Sequence, residues 1–177
     1  MNGIAVVTAS RPDRTDMLAE LVAAVEAQTV SAAEHIIEID YGYTGCIETT
    51  NRAAARVTSP WMLIMNDDDL IDPDCIEVYT DNLVADVVYA YTRVTGRADD
   101  WCPNRPFDAA RLRAGNYICA GSVIRTDVWR AHGGYRESPT FCDYDLWLRI
   151  LDAGGTFHCV PQVIWTYRYG PWEQMSG

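Results

Sequence analysis

Three consecutive aspartates follow a short apolar run near the middle of the chain. The run covers residues 61–65, and Asn66, Asp67, Asp68 and Asp69 come directly after it. An apolar run of this kind is typical of a buried strand, and open α/β sheets bind ligands at the carboxyl ends of their strands. Adjacent carboxylates repel each other, and a hard cation such as Mg²⁺ or Mn²⁺ that bridges to a phosphate removes the repulsion.

A solvated loop is the main alternative to a metal site at these acids. In that interpretation Asp72 caps the helix that starts near Pro73. A calcium loop of the EF-hand type is disfavoured, because Asp72 stands where that pattern, counted from Asp67, needs glycine.

Three further charged residues lie at positions where chemistry is common. Asp40 ends a predicted strand, where an acid either contacts a ribose or base or caps the next turn. Asp143 lies in the first turn of a predicted helix, where an acid either acts as a general base or is present because the helix dipole favours it. Arg168, near the end of the chain, either holds a phosphate or pairs with a surface acid.

The elements that position these residues alternate between strands and helices. Strands are predicted at 3–8, 35–40 and 61–65, and each is followed by a helical pattern. This alternation predicts a parallel sheet with helices on both faces. The remaining predicted elements are a strand at 86–91, an irregular segment at 95–107, a strand at 116–124, helices at 126–132 and about 140–153, and strands at 157–160 and 163–167.

Composition limits the classes of protein and partner. With 177 residues and 49% hydrophobic content, the chain is expected to form one domain. A net charge of −11 disfavours a broad surface for nucleic acid or anionic membrane. No segment is long and apolar enough to span a bilayer, and the chain enters a strand at once, so no signal peptide is expected.

Six cysteines are scattered along the chain without the spacing of a zinc site. They are interpreted as reduced core residues of a cytoplasmic protein.

Four stretches, in this order, resemble the motifs of a family 2-like glycosyltransferase with the GT-A fold. VVTASRP at 6–12 is similar to the first strand and turn of that family, and IDYGYTG at 39–45 is similar to its nucleotide-binding turn. MNDDDLIDPD at 65–74 resembles the D-x-D segment. CDYDLWLRILDAGG at 142–155 resembles the helix written E-D-x-D-L-W-x-R.

The resemblance spans nearly the whole chain and implies its fold. It implies a single α/β GT-A domain over residues 1–177, with a Rossmann-like, mostly parallel central sheet and helices on both faces. Residues 1–94 would form the half that binds the nucleotide sugar, and residues 95–177 the half that holds the acceptor and the catalytic group.

The resemblance also implies an activity. A sugar would move from a nucleotide-diphosphate donor, a UDP-sugar by expectation, to an acceptor hydroxyl, with inversion by single displacement. Asp143 matches the general base, while Asp68 and Asp69 match the ligands of Mn²⁺ or Mg²⁺. The nucleotide-binding positions are Thr8, Ala9, Ser10, Arg11, Asp40 and Asp67. The candidates for contacts with the diphosphate or acceptor are Arg168, Trp101, Asn116 and Tyr144.

This chain departs from the family pattern at three positions. Asn66 replaces the first acid of the D-x-D segment, Cys142 replaces the glutamate before the base, and Tyr169 follows Arg168 where many members have histidine. A catalytically weak nucleotide-sugar-binding module and a sugar nucleotidyltransferase therefore stay as alternatives. A Gly- and Arg-rich phosphate loop, which the second alternative needs, does not follow the first predicted strand. The sequence does not specify the sugar, the acceptor or the oligomeric state.

Overall fold

The computed structural model describes residues 3–96 and 105–170. The described chain forms strands and helices that alternate for most of its length. The strands are β1 (Ile4–Ser10), β2 (Glu34–Ile39), β3 (Trp61–Ile64), β4 (Leu70–Ile71), β5 (Val87–Thr95), β6 (Val123–Arg125) and β7 (Phe157–Arg168). The helices are α1 (Thr15–Glu26), α2 (Cys46–Ala55), α3 (Cys75–Asp81), α4 (Ala109–Ala114), α5 (Thr126–Ala131) and α6 (Cys142–Asp152).

The strands form one mixed sheet in the order β2-β1-β3-β6-β5-β7-β4. Strand β1 pairs in parallel with β2 and β3, and β5 pairs in parallel with β7. Strands β6 and β4 pair with their neighbours in the antiparallel direction. The expected α/β class with a mostly parallel central sheet is therefore confirmed.

Apolar residues cover both faces of the sheet. Along β1, Ala5 and Val7 belong to one core cluster, while Ile4 and Val6 belong to the other. This division follows from the alternation of side chains along a strand. Helices α2 and α6 bury their apolar faces in the first cluster, and α1 and α3 in the second. A strand buried on both faces reads as a continuous apolar run, which explains the composition of β3.

The predicted strand at 116–124 is mostly wrong, because only β6 at its end forms. Asn116 Oδ1 accepts the N–H of Ile118, and Ser122 Oγ donates to the carbonyl of Cys119. These local side-chain bonds replace a strand ladder. The following backbone also passes close to β7, since a Cβ atom added at Gly121 would lie 2.6 Å from the ring of Trp165.

Other elements also differ from the sequence prediction. Helix α4 was not predicted, although Asp108 Oδ1 accepts the N–H of Arg111 at 2.7 Å as a helix cap. The two predicted final strands form the single strand β7. Its pairing with β5 shifts register around Tyr91, where Pro161 and its neighbour interrupt the ladder.

Four cysteines are free thiols in the part of the chain that the structure describes: Cys46, Cys75, Cys142 and Cys159. Cys119 is disulfide-bonded, so the expectation that all six cysteines are reduced is wrong. Cys75 is fully buried, but Cys46 is exposed, and it is therefore not a core residue as predicted.

Among the described residues, none of the helices has the length and apolar character that crossing a bilayer requires.

Candidate functional site

The carboxyl ends of β2, β1 and β3 lie side by side and carry the predicted polar residues. Ser10 ends β1, Asp40 follows β2, and Asp67 lies just beyond β3. The three strands are parallel neighbours, so these side chains share one edge of the sheet. Open α/β sheets bind ligands at such an edge.

Asp67 is buried and contacts two residues at the end of β1 and just after it, Ser10 and Arg14. Its Oδ2 atom accepts a hydrogen bond from Ser10 Oγ at 2.6 Å. Its Oδ1 atom lies 3.0 Å from Arg14 Nη1. A carboxylate that is only 2% exposed needs such partners, because an unpaired buried charge is costly. Asp67 thus joins the ends of β1 and β3.

Asp68 and Asp69 lie beside Arg14 and the end of β7. Arg14 Nη1 is 3.3 Å from Asp68 Oδ2. Asp69 Oδ1 accepts the backbone N–H of Arg168 at 2.9 Å, and Arg168 Nε donates to the carbonyl of Asp68. Arg168 also pairs with Glu20. Its Nη2 atom is buried and has no hydrogen-bond partner among the described residues.

The acids fit a divalent cation through two of their carboxylates. Asp67 Oδ1 and Asp68 Oδ2 converge on Arg14 Nη1, and proteins commonly hold Mg²⁺ by one or two carboxylates together with substrate phosphates. Asp69 fits less well, because its oxygens face the N–H of Arg168 and, at 3.4 Å, the amide of Asn66.

Across residues 3–96 and 105–170, no group of three or more His, Cys, Asp and Glu side chains could hold a metal by itself. The metal role of Asp68 and Asp69 stays a prediction.

Asp40 shapes the turn between β2 and α2. Its Oδ1 atom accepts from the N–H and hydroxyl of Thr44, and its Oδ2 atom accepts the N–H of Gly45 at 2.8 Å. Burial raises the pKa of Asp40, but these hydrogen bonds and Arg52 outweigh it and lower the pKa below its usual value. Gly45 has a φ of 95°, a conformation that suits glycine. The ionised carboxylate thus keeps the turn folded.

The other predicted nucleotide-binding residues lie along the end of β1. Thr8 is buried, and its hydroxyl lies 3.4 Å from His35 Nε2. Ala9 is partly buried beside Ser10 in the same strand. Arg11 follows the strand and pairs with Asp13 at 2.5 Å. The contacts of these residues with a nucleotide stay predictions.

Asp143 lies in the first turn of α6 and is partly buried. Burial raises the pKa of Asp143 to about 6, although hydrogen bonds from the N–H of Tyr144 and from Asn116 oppose the shift. Asn116 Nδ2 lies 3.4 Å from Asp143 Oδ1. The carboxyl group is therefore ionised at neutral pH and more basic than an ordinary aspartate. These are the properties of a general base.

The loop before α6 is fixed by hydrogen bonds to two helices. Asn51 of α2 donates to the carbonyl of Tyr135 at 2.7 Å and accepts its N–H at 3.0 Å. Arg149 of α6 donates to the carbonyl of Gly134 at 2.6 Å and pairs with Asp145 at 2.8 Å. The backbone that leads to Asp143 is thus held from both sides.

The remaining acceptor candidates differ in position. Asn116 contacts Asp143, as described above. Tyr144 is directed instead to the end of α4, where its hydroxyl donates to the carbonyl of Leu112 at 2.9 Å. Trp101 lies outside the described residues.

Sequence reasoning missed Arg14, which contacts both Asp67 and Asp68. Its position shortly after the first predicted strand was the only available signal. All 14 basic residues of the chain are arginines, and local sequence does not show which of them reaches the acids.

The fold resembles that of solved structures of S. aureus TarS. The structure titled TarS 1–349 of S. aureus in complex with UDP-GlcNAc superposes with a TM-score of 0.78 at 12% identity, covering 99% of this chain and 61% of that one. The complex of TarS 1–349 with UDP gives a TM-score of 0.75 at 11% identity, covering 97% of this chain and 62% of that one. The chain therefore spans less than two thirds of the length of either structure. The fold expected from the resemblance is confirmed.

A comparison with curated proteins gave no match. The family model described as glycosyltransferase like family 2, however, matches residues 3–174. Since this match covers nearly the whole sequence, the chain belongs to the glycosyltransferase-like family 2.

Proposed function

We propose that this chain transfers a sugar from a nucleotide-diphosphate donor to an acceptor hydroxyl. The observation that carries the proposal is the shared sheet edge, where Ser10, Asp40 and Asp67 end three parallel neighbours. A structural relative with the same fold was solved with UDP-GlcNAc, which supports a UDP-sugar as the donor.

The nucleotide is proposed to lie along the ends of β1 and β2. Asp40 holds its turn through the N–H groups of Thr44 and Gly45, so the turn is formed before a ligand arrives. Arg168 is held by Asp68 and Asp69 and has one buried nitrogen without a hydrogen-bond partner among the described residues. This nitrogen suits a diphosphate oxygen, because guanidinium and phosphate form strong charge-assisted hydrogen bonds.

Asp68, supported by Asp67, is proposed to hold Mn²⁺ or Mg²⁺ against the diphosphate, with Asp69 orienting the end of β7. Bound there, a divalent cation would neutralise charge on the leaving diphosphate. Arg14 already contacts both Asp67 and Asp68, so it must shift when they bind a cation.

Asp143 is proposed to accept the proton of the acceptor hydroxyl as that hydroxyl attacks the sugar. Its raised pKa, about 6, makes it a better proton acceptor at neutral pH than an ordinary carboxylate. Asn116, 3.4 Å away, orients the carboxyl group. A single displacement with inversion needs no covalent nucleophile, so this scheme uses none of the cysteines. The cytoplasmic location expected from the sequence stays a prediction.

The activity is tested by screening UDP-sugars and other nucleotide sugars in the presence of Mn²⁺. The measured quantity is the release of the nucleotide diphosphate, with water or glycans as the acceptor.

Asp143→Asn is expected to lower turnover by a factor of about 100 or more, with an unchanged dissociation constant for UDP. Asp152→Asn is the matched control, because Asp152 ends the same helix and is exposed. Equal turnover of Asp143→Asn and the wild type would remove the base assignment. Nucleotide binding without turnover across all donors would instead favour a binding module.

A further inference from the structure

Arg14 is fixed at its backbone, but its guanidinium is held through a single nitrogen. The residue directly precedes α1, where its N–H bonds to the carbonyl of Arg11 at 3.1 Å and its carbonyl accepts the N–H of Leu18 at 3.0 Å. Its hydrogen bonds to side chains both use Nη1, which lies 3.0 Å from Asp67 Oδ1 and 3.3 Å from Asp68 Oδ2. No hydrogen bond to a described residue uses its Nε or Nη2 atom, although a guanidinium carries several N–H donors. Arg14 can therefore change partners without any change in its backbone.

Arg168 is held more firmly than Arg14. Its N–H donates to Asp69 Oδ1 at 2.9 Å, its Nε atom donates to the carbonyl of Asp68, and its Nη1 atom pairs with Glu20. These contacts keep the guanidinium of Arg168 in place at the end of β7. Both arginines contact Asp68, so a diphosphate bound at Arg168 would lie beside Arg14.

A divalent cation and the guanidinium of Arg14 compete for the same two carboxylate oxygens. Asp67 is 2% exposed and Asp68 is 7% exposed, and two positive charges a few ångströms apart repel strongly when they are shielded from water. Two carboxylates alone are few ligands for Mg²⁺, which usually completes its coordination with water and substrate phosphates. A cation without a phosphate ligand is therefore expected to displace Arg14 only weakly.

The two acids stay in position when the guanidinium leaves them. Ser10 Oγ donates to the second oxygen of Asp67, Oδ2, at 2.6 Å. The backbone of Asp68 is held at its carbonyl by Nε of Arg168. A movement of the Arg14 side chain therefore exposes carboxylate oxygens that are already oriented.

We propose that Arg14 exchanges partners when the donor binds, from the carboxylates of Asp67 and Asp68 to the diphosphate. In the free protein, its guanidinium neutralises the two acids. When a nucleotide diphosphate binds together with a divalent cation, Arg14 forms charge-assisted hydrogen bonds with the phosphates, and the two acids are released to hold the cation. Arg14 is a positioning residue in this scheme, which rests on the proposed nucleotide-diphosphate site.

The exchange makes the binding of the cation and the binding of the diphosphate interdependent. By linkage, UDP raises the affinity for Mn²⁺ by the same factor as Mn²⁺ raises the affinity for UDP. This factor has two sources, which are direct contact between the cation and the phosphates and the release of Arg14 from the acids. Only the second source requires the arginine.

Arg14→Gln separates the two sources, because glutamine can donate a hydrogen bond to a carboxylate but carries no charge. Bound Mn²⁺ is measured by the loss of the electron paramagnetic resonance signal of free Mn²⁺, with and without saturating UDP. The variant is expected to bind Mn²⁺ alone about fivefold more tightly than the wild type, and the factor by which UDP raises this affinity is expected to fall about fivefold. A purely structural role for Arg14 predicts the opposite sign for Mn²⁺ alone, since loosened carboxylates bind a cation more weakly.

Three controls accompany this titration. Uridine, which has no phosphate, is expected to leave the Mn²⁺ affinity of the wild type unchanged. Arg113→Gln removes an arginine whose ion pair with Asp152 is exposed, and it is expected to bind Mn²⁺ and UDP as the wild type does. Arg14→Lys keeps the charge but lacks the planar fork of donors, so it is expected to bind Mn²⁺ alone as weakly as the wild type and to show a smaller effect of UDP.

The outcomes separate the exchange from the proposed function. Binding of Mn²⁺ alone by Arg14→Gln that is equal to or weaker than that of the wild type would overturn the exchange, as would an equal effect of UDP in both proteins. If Arg14→Gln does not fold, an effect of UDP in Arg14→Lys equal to that of the wild type would overturn it. In these cases UDP still binds, and the proposed donor stands. Failure of the wild type to bind UDP with or without Mn²⁺ would instead remove the donor and the exchange together.

Discussion

The Nη1 atom of Arg14 lies 3.0 Å from the Oδ1 atom of Asp67. The same nitrogen lies 3.3 Å from Asp68 Oδ2, so it occupies the point on which the two carboxylates converge. The three side chains are at most 15% exposed, and removing one partner of a buried ion pair leaves an uncompensated charge. Arg14 thus neutralises the negative charge of the two carboxylates, Asp67 and Asp68, that are proposed to hold a cation.

Arg14→Met is expected to lower the free energy of unfolding by about 3 kcal/mol. Because the substitution leaves the two carboxylates without their cation, Mn²⁺ is expected to raise the melting temperature of the variant more than that of the wild type. Thermal unfolding with and without Mn²⁺ measures both effects. Arg113→Met is the control, since its ion pair with Asp152 is exposed and is worth about 1 kcal/mol or less. Equal Mn²⁺ shifts in all three proteins would contradict a shared cation position.

Turnover is expected to depend on the protonation of Asp143. Since burial raises the pKa of this carboxyl group to about 6, the base is ionised above that pH and protonated below it. The ratio kcat/KM should therefore fall about tenfold for each pH unit below about 6. A pH profile of nucleotide-sugar turnover measures this. A profile whose acidic limb lies near pH 4, the ordinary range of aspartate, would contradict the assignment.

Asp143→Asn is expected to stabilise the protein at alkaline pH. The pKa of Asp143 rises from 3.8 to about 6 in the folded state. The carboxyl group therefore contributes its full stability below pH 3.8 and loses it as the pH rises through about 6, a loss of roughly 3 kcal/mol at pH 8. Asparagine does not titrate, so the gain should be greatest at pH 8 and should shrink towards pH 4. Urea unfolding at both pH values checks this, and an equal difference at both would refute it.

Gly133 and Gly134 are expected to respond differently to replacement by alanine. Both have positive φ, 72° and 66°, which costs a residue with a side chain about 1 kcal/mol. A Cβ atom at Gly133 meets nothing within 4 Å, whereas one at Gly134 would lie 2.6 Å from Asn51 Oδ1. Gly134→Ala should therefore lose about 1–3 kcal/mol more than Gly133→Ala in urea unfolding. Equal losses would show that the contact with Asn51 does not constrain the loop.

The features of the fold and of the site that depend on local sequence pattern can be predicted from the sequence. The α/β class and an acidic sheet edge can be predicted from the apolar run of β3, from the aspartates that follow it, and from the helical spacing of the apolar residues in α2 and α6. The position of Arg14 follows instead from the pairing of β1 with β3, which no local signal specifies.

Local propensity was misleading at residues 116–122, where the run from Tyr117 to Ala120 indicates a strand. Two effects override it. Asn116 and Ser122 bond to nearby backbone groups, and the ring of Trp165 packs against Gly121. The first effect is visible in the residue types, but the second requires the position of β7.

The hydrogen bond from the N–H of Arg168 to Asp69 spans 99 residues of sequence. Strand β4, directly after the acids, also pairs with β7. Contacts between such distant residues form late in folding, because a long loop must close first. During synthesis, the acids emerge from the ribosome well before the strand that holds them. A nascent chain that ends before residue 157 thus carries every aspartate of the cluster, yet its sheet edge is incomplete.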